Sequence, residues 1–271
     1  MAGFFGLFDP TKEGPGIRKD APKKKAFFVF FETFFRNFFK FFSINLIYVL
    51  LSLPIITHGM AHAGITNVTR NIARDKHSFG LSDFFETIKK NWKQSLAVGF
   101  INTIITLLLG FAIWFYNESY LQTEQIVSFL GLAVSLLLVV VFVIMNFYIY
   151  TLMITFDYDL KTLYKNSFKF VFVNLWRNLL CGVCLLLVYA IYVLIALLFN
   201  DIRIVIMEVI VAVATLPAFR FLLVQFFTFG SVKKYIIDPY YEQHPDADIE
   251  KRRNLGLDVP EDETYDDMSW E

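Results

Sequence analysis

Between Phe27 and Phe42 the chain repeats paired phenylalanines broken by single polar residues. Ten of these sixteen positions are phenylalanine, and Glu32, Arg36 and Lys40 recur four apart. At about 100° per residue, all ten rings fall within one arc of roughly 180°. Glu32, Thr33, Arg36, Asn37, Lys40 and Ser43 fill the opposite arc, with Val29 as an apolar intruder. The pattern predicts an amphipathic helix over 27–43. Its aromatic face suits either the headgroup boundary of a bilayer or the packed cytoplasmic end of a bundle helix.

Apolar character continues over 44–57, where Pro54 bends or ends the segment. Residues 58–76 are rich in small side chains and only weakly hydrophobic. In LSDFFETIKKNWKQ, Asp83 followed by Glu86 has the form of a helix N-terminal cap, and Phe84, Phe85, Ile88 and Trp92 share a face. This predicts a second interfacial helix over 81–94. Three uncharged apolar stretches follow, at 95–116, 126–156 and 178–199. Each is long enough to cross about 30 Å of hydrocarbon, and the second exceeds what a bilayer requires. The last stretch, 202–229, is apolar but holds Arg203, Glu208, Pro217 and Arg220.

The expected fold is therefore all-α: a polytopic membrane bundle of five to six transmembrane segments with amphipathic interfacial helices. Residues 1–25 form an irregular basic lead, 26–230 the helical membrane domain, and 231–271 an acidic cytoplasmic tail.

Composition agrees, since 56% of the 271 residues are hydrophobic. The formal net charge of zero hides a split. Residues 1–234 carry 22 Lys and Arg against 13 Asp and Glu, whereas 235–271 carry 3 against 12. No cleavable signal peptide is evident in the first apolar run. The positive-inside rule sets the threading. The loop 117–125 has Glu118 and Glu124 but no cation, so it faces out. Lys161, Lys165, Lys169 and Arg177 place 157–177 inside, and Lys233 and Lys234 do the same for the tail. The lead before Phe27 and the basic segment 70–93 also belong inside, which requires an even number of crossings between them. The return path is 56–74, too polar to face lipid, so it is expected to be interior or re-entrant. Six segments with both ends inside satisfy the charges. Five segments with an extracytoplasmic N-terminus are the alternative.

The stretches GLFDPTKEGPG, NLIYVLLSLPIITHGMAHAG and FFETIKKNWKQ, with a proline in the last span, resemble the YesL-like family of bacterial multi-pass membrane proteins. The resemblance covers most of 1–230. Many members carry Gly-Pro-Ala-x-x-Ala after the leucine-proline turn, where this chain has Gly59-Met60-Ala61. The family has no established activity or catalytic residues. Its gene neighbourhoods imply a non-enzymatic accessory role in carbohydrate uptake, at the plasma membrane, with importer subunits as partners. The acidic tail is then a docking surface or a solubilising end. The alternative is an autonomous transporter or channel. The bilayer itself is the principal partner, and nucleic acid is not expected.

Five residues are candidates for a polar cavity. His58 and His62, four apart, project from one helical face, and Thr66 extends the ridge. Such a pair binds a transition metal only with a third ligand, and none stands nearby. Glu208 and Arg220 are the ionisable groups deepest in the last span, and such groups pair or line a path. Twelve helical residues separate them by about 18 Å, so Glu208 is expected to meet Arg203 instead. Arg220 either uses a carbonyl freed by Pro217 or snorkels to the interface. Cys181 and Cys184 read as small packing residues. Asn102, Asn146 and Asn174 are candidate interhelical hydrogen-bond partners. No phosphate loop, dinucleotide fingerprint or catalytic triad occurs, so neither cofactor nor enzyme activity is expected.

Overall fold

The computed structural model describes residues 26–199 and 201–244, and these are helical with no strand among them. The lead 1–25 and the acidic end beyond 244 lie outside the described residues.

The aromatic segment is two helices rather than the expected one. α1 (Ala26–Arg36) and α2 (Phe38–Ser52) are bent by 73°. At the break, Asn37 leaves helical geometry at φ −105°, ψ 16°, and its side chain donates to the Thr33 carbonyl at 3.0 Å. An asparagine amide competing locally for a helix carbonyl is a cause of such breaks. The bend lets Phe30 and Phe34 meet Phe219 edge-on, with ring centroids 5.1 and 5.3 Å away. Phe27, Phe28, Phe35 and Phe39 remain exposed. The aromatic face is thus shared between packing and the outside.

α2 turns at Leu53-Pro54 into α3 (Ile55–Ala73). The two helices form a hairpin whose open ends are tied together. Arg36 pairs with Asp75 at 2.5 Å, and Lys40 Nζ donates to the Ser78 carbonyl at 2.8 Å. The chain therefore enters and leaves this hairpin on one side. α3 is the weakly hydrophobic segment, and its small residues have a packing purpose. A Cβ on Gly59 would lie 2.1 Å from the Ser95 carbonyl oxygen and 2.7 Å from the Gly99 Cα. Gly59 and Gly99 are where the backbones of α3 and α4 touch, as small residues allow in membrane bundles.

α4 (Leu81–Thr123) runs unbroken through both the predicted interfacial helix and the first uncharged span, with a kink at Asn91. Its cap differs from expectation by three residues. Gly80 takes the N-cap position, and Asp83 reaches back to accept from the Phe79 N–H at 3.0 Å and the Ser78 hydroxyl at 2.7 Å. α5 (Ile126–Thr155) returns antiparallel to α4. Asn102 donates to Asn146 between these helices at 2.8 Å. α6 (Leu160–Val173) is a helix that the charge pattern alone did not predict. Asp159 caps it, and hydrogen bonds from the Thr162 side chain and N–H hold that carboxyl below the usual range. α7 (Leu175–Phe199) and α8 (Ile202–Val232) complete the bundle, with Asn174 donating to Ser231 at 2.6 Å. A π-turn (Lys233–Ile237) and α9 (Asp238–Gln243) follow.

Four helices, α4, α5, α7 and α8, are long and apolar enough to cross a membrane, and the bent pair α1–α2 has the length and composition either of a broken span or of a re-entrant loop. α3 does not meet that test. The packed core lies where α3, α5 and α8 meet, around the fully buried Ile65, Tyr148, Ile149, Leu152 and Leu222.

Candidate functional site

Pro217 stands within the continuous helix α8, one turn before Arg220. Proline lacks an N–H and its ring pushes against the preceding turn, so backbone groups nearby lose their helical partners. Here the fully buried Asn45 of α2 supplies replacements. Its amide donates to the Ala214 carbonyl at 2.7 Å, and its carbonyl accepts from the Ala218 N–H at 2.8 Å. Asn45, not Arg220, reaches the backbone beside the proline, and this leaves the Arg220 side chain available for other work.

The arginine points into a cavity of about 500 Å³. α3 contributes His58 and His62, α4 contributes Asn102, Thr103 and Thr106, and α5 contributes Asn146 and Tyr150. Leu107, Leu109, Ile113, Val139, Phe142 and Val143 form an apolar wall. A second space of about 20 Å³ shares His62, Asn146, Tyr150 and Arg220 with it and adds Thr66 and Gln225. The hairpin makes the site: α3 begins partway along α4 and α5, and the cavity opens beside its first turns.

Four of the five candidate residues thus come together, from α3 and α8. Glu208 lines neither space. The expected Arg203–Glu208 pair is also absent. Arg203 Nε lies 3.9 Å from the Asp201 carboxylate that caps α8, because the cap puts an acid two residues away in sequence. Glu208 keeps one buried carboxylate oxygen without a hydrogen-bond partner among the described residues.

The polar groups of the cavity differ in how far they are already engaged. The rings of His58 and His62 lie 4.2 Å apart, and His62 Nδ1 sits 3.2 Å from the His58 carbonyl and 3.4 Å from the Tyr48 hydroxyl. Asn102 donates to Asn146 and accepts from Tyr164 at 2.7 Å, while Asn146 donates to the Phe142 carbonyl at 2.9 Å. Thr103, Thr106 and Thr66 each donate to the carbonyl four residues back. Arg220 makes neither hydrogen bond nor ion pair among the described residues, and only the Phe221 ring, 5.4 Å from its guanidinium carbon, faces the charge. No group of three or more His, Cys, Asp or Glu that could hold a metal occurs among the described residues. Cys181 and Cys184 are free thiols outside both spaces.

Sequence reasoning missed Tyr150, Thr103, Thr106 and Gln225 as lining residues, and read Asn102 and Asn146 only as interhelical partners. A signal was present: Asn102, Thr103 and Thr106 put polarity on one face of an otherwise uncharged span.

A further polar space of about 360 Å³ lies at the other end of α3, among Asn67, Arg70, Asp83, Glu86 and Lys90. Arg70 is tied there to Thr155 and Asn67, both at 2.7 Å.

A family described as a protein of unknown function, DUF624, matches residues 41–117. The YesL-like proteins belong to that family. The matched stretch contains α3 and the part of α4 that lines the cavity, and so supplies His58, His62, Thr66, Asn102, Thr103 and Thr106. No curated protein and no solved structure matches the chain significantly.

Proposed function

We propose that this chain is a non-enzymatic, multi-pass plasma-membrane protein that takes a small solute into the cavity around Arg220, in the manner of a transporter. One observation carries the reading. An arginine without a hydrogen-bond or ion-pair partner among the described residues and two histidines line a space of about 500 Å³ beside helices apolar enough to span a bilayer. Ionisable groups at that depth are costly and mark solute or ion paths. The α2–α3 hairpin is then a re-entrant element, and α4, α5, α7 and α8 are four full crossings. Both ends of the domain fall on the cytoplasmic side, which agrees with the basic segments 70–93 and 157–177. α1 and the first turns of α4 lie at that interface.

The test is tracer uptake into proteoliposomes containing this chain alone, over a panel of labelled sugars, sugar phosphates and carboxylates. Uptake above that of protein-free liposomes, lost in Arg220→Ala and His62→Ala, is the expected result. Uptake no greater than through lipid for every solute contradicts it.

An accessory role beside a carbohydrate importer rests on the YesL-like resemblance alone. Its test is co-purification of a permease or ATPase subunit with the tagged chain.

A further inference from the structure

We propose that the ligand of the Arg220 cavity is an organic anion with a carboxylate or phosphate head and an apolar body. The inference rests on the solute-cavity reading above and narrows it to a chemical class.

The head group follows from what the cavity leaves unsatisfied. Much of its neutral polarity is already engaged: Thr103 and Thr106 donate to backbone carbonyls, and Asn102 and Asn146 each spend one of two amide N–H groups within the protein. Arg220 is the richest free donor, because its five guanidinium N–H groups have no acceptor among the described residues. No Asp or Glu lines either of the two spaces around it. Arg220 is half-buried, and a partly desolvated cation without a counter-charge among the described residues is unfavourable, so an anion lowers that cost while using the planar fork of donors. His58 and His62 border the same end and add further ring nitrogens. The cytoplasmic-end space is a useful contrast: Arg70 and Lys90 share their lining with Asp83 and Glu86, so that site is already charge-balanced.

The body follows from the opposite wall. Leu107, Leu109 and Ile113 of α4 face Val139, Phe142 and Val143 of α5, with no ionisable group among them. A bare inorganic ion fills the cationic end and leaves this wall wet. A ligand carrying an apolar portion buries it, at about 25 cal/mol per Å² of apolar surface removed from water. Arg220 therefore sets the head and the α4–α5 wall sets the body.

The experiment uses the full chain in lipid nanodiscs and tritiated 4-phenylbutyrate as probe, with binding to empty nanodiscs subtracted. Saturable binding is expected. Unlabelled 4-phenylbutyl phosphate should compete comparably, whereas 4-phenylbutanol, acetate and inorganic phosphate should each compete at least tenfold more weakly. Arg220→Gln should lower affinity at least tenfold, Arg220→Lys should retain most of it, and Val139→Asn should weaken the phenylbutyrate site without creating one for acetate. The natural source is read separately, by negative-ion mass spectrometry of extracts from the purified chain. An anionic lipid-derived amphiphile retained near one per chain, and lost in Arg220→Gln, assigns the site to a lipid source. Its absence alongside phenylbutyrate binding assigns it to a water-soluble anion. Equal competition by 4-phenylbutanol, or unchanged affinity in a monodisperse Arg220→Gln protein, overturns the proposal. So does the absence of both saturable anion binding and a retained anionic lipid. Tracer uptake of a neutral sugar that depends on Arg220, without anion binding, would sink this inference and leave the solute-cavity reading standing.

Discussion

The carboxamide of Asn45 meets α8 beside Pro217, accepting from the Ala218 N–H and donating to the Ala214 carbonyl. One buried side chain thereby engages two backbone groups next to the proline and fixes the α2–α3 hairpin against α8. Pro217 precedes Arg220 by three residues in the same helix, so this tie and the position of the cavity cation are parts of one arrangement.

Replacing Asn45 by alanine should leave both backbone groups unsatisfied in the interior, at a cost of about 1–3 kcal/mol. Pro217→Ala restores a 217 N–H for the Val213 carbonyl and removes the push of the ring on that turn, which lets the Ala218 N–H and Ala214 carbonyl pair directly, so in that background the same substitution should cost about 1 kcal/mol less. Thermal unfolding of the four proteins in one detergent measures the cycle. Equal losses in both backgrounds would mean that Asn45 does not serve the backbone beside the proline.

The α3–α4 contact predicts a second asymmetry. Gly59→Ala puts a methyl group 2.1 Å from a backbone oxygen, where no flexible side chain can give way. It should destabilise the fold by about 1–3 kcal/mol or more, as overpacking does. A Cβ at Gly182 meets nothing within 4 Å, so Gly182→Ala should lie within about 0.5 kcal/mol of wild type. Monodispersity and melting temperature of the two variants check the difference.

Much of this architecture was legible in the sequence, and the reasons it was not wholly legible are specific. Long uncharged runs gave α4, α5, α7 and α8, because crossing hydrocarbon imposes length and polarity together. The weak hydropathy of 56–74 pointed to a segment packed inside the bundle, and α3 is indeed largely buried, with the Arg36–Asp75 pair closing its hairpin with α2. The break at Asn37 was invisible because a helical wheel treats 27–43 as continuous; the bend depends on where Phe219 stands, and that is tertiary. α6 was hidden since its basic positions were read only for sidedness. His58, His62, Thr66 and Arg220 were picked as polar residues in apolar surroundings, and the fold brings them together. Glu208 was picked on the same ground and stands apart, since wheel position and depth do not give neighbours.

Hairpin geometry also predicts sidedness. In a background with Cys181 and Cys184 replaced by alanine, cysteines at positions 36 and 75 should be joined within one chain by a short bis-thiosulfonate reagent. Each should react with an impermeant thiol reagent from the same side of the membrane, opposite to a cysteine at 122. Labelling of 36 and 75 from opposite sides would contradict the tie between Arg36 and Asp75.

Lys76, in the loop between α3 and α4, has its amine pushed down to about 8 by burial and by the neighbouring Arg74 and Arg70. The folded state therefore binds fewer protons than the unfolded chain between about pH 8 and the ordinary lysine value. This group's contribution to stability rises with pH across that window and is least favourable below it. Amine-reactive labelling followed by mass spectrometry should show Lys76 reaching half-maximal reactivity near pH 8 in the folded protein. Arg74→Gln should move that midpoint upward. A Lys76 midpoint that is the same in the folded protein and the denatured chain would refute the assignment.

The central claim is that solute reaches Arg220 through a space inside the membrane domain, and water access to that space tests it most directly. With the native cysteines removed, Thr103→Cys and Phe142→Cys place thiols on half-buried positions of the cavity lining, while Leu108→Cys and Leu137→Cys place them on exposed apolar faces of the same helices, outside that lining. A membrane-impermeant sulfonate-bearing thiosulfonate reagent should modify the first pair at least tenfold faster than the second in sealed vesicles. Equal and negligible modification at all four positions would show a dry, closed bundle and contradict the account.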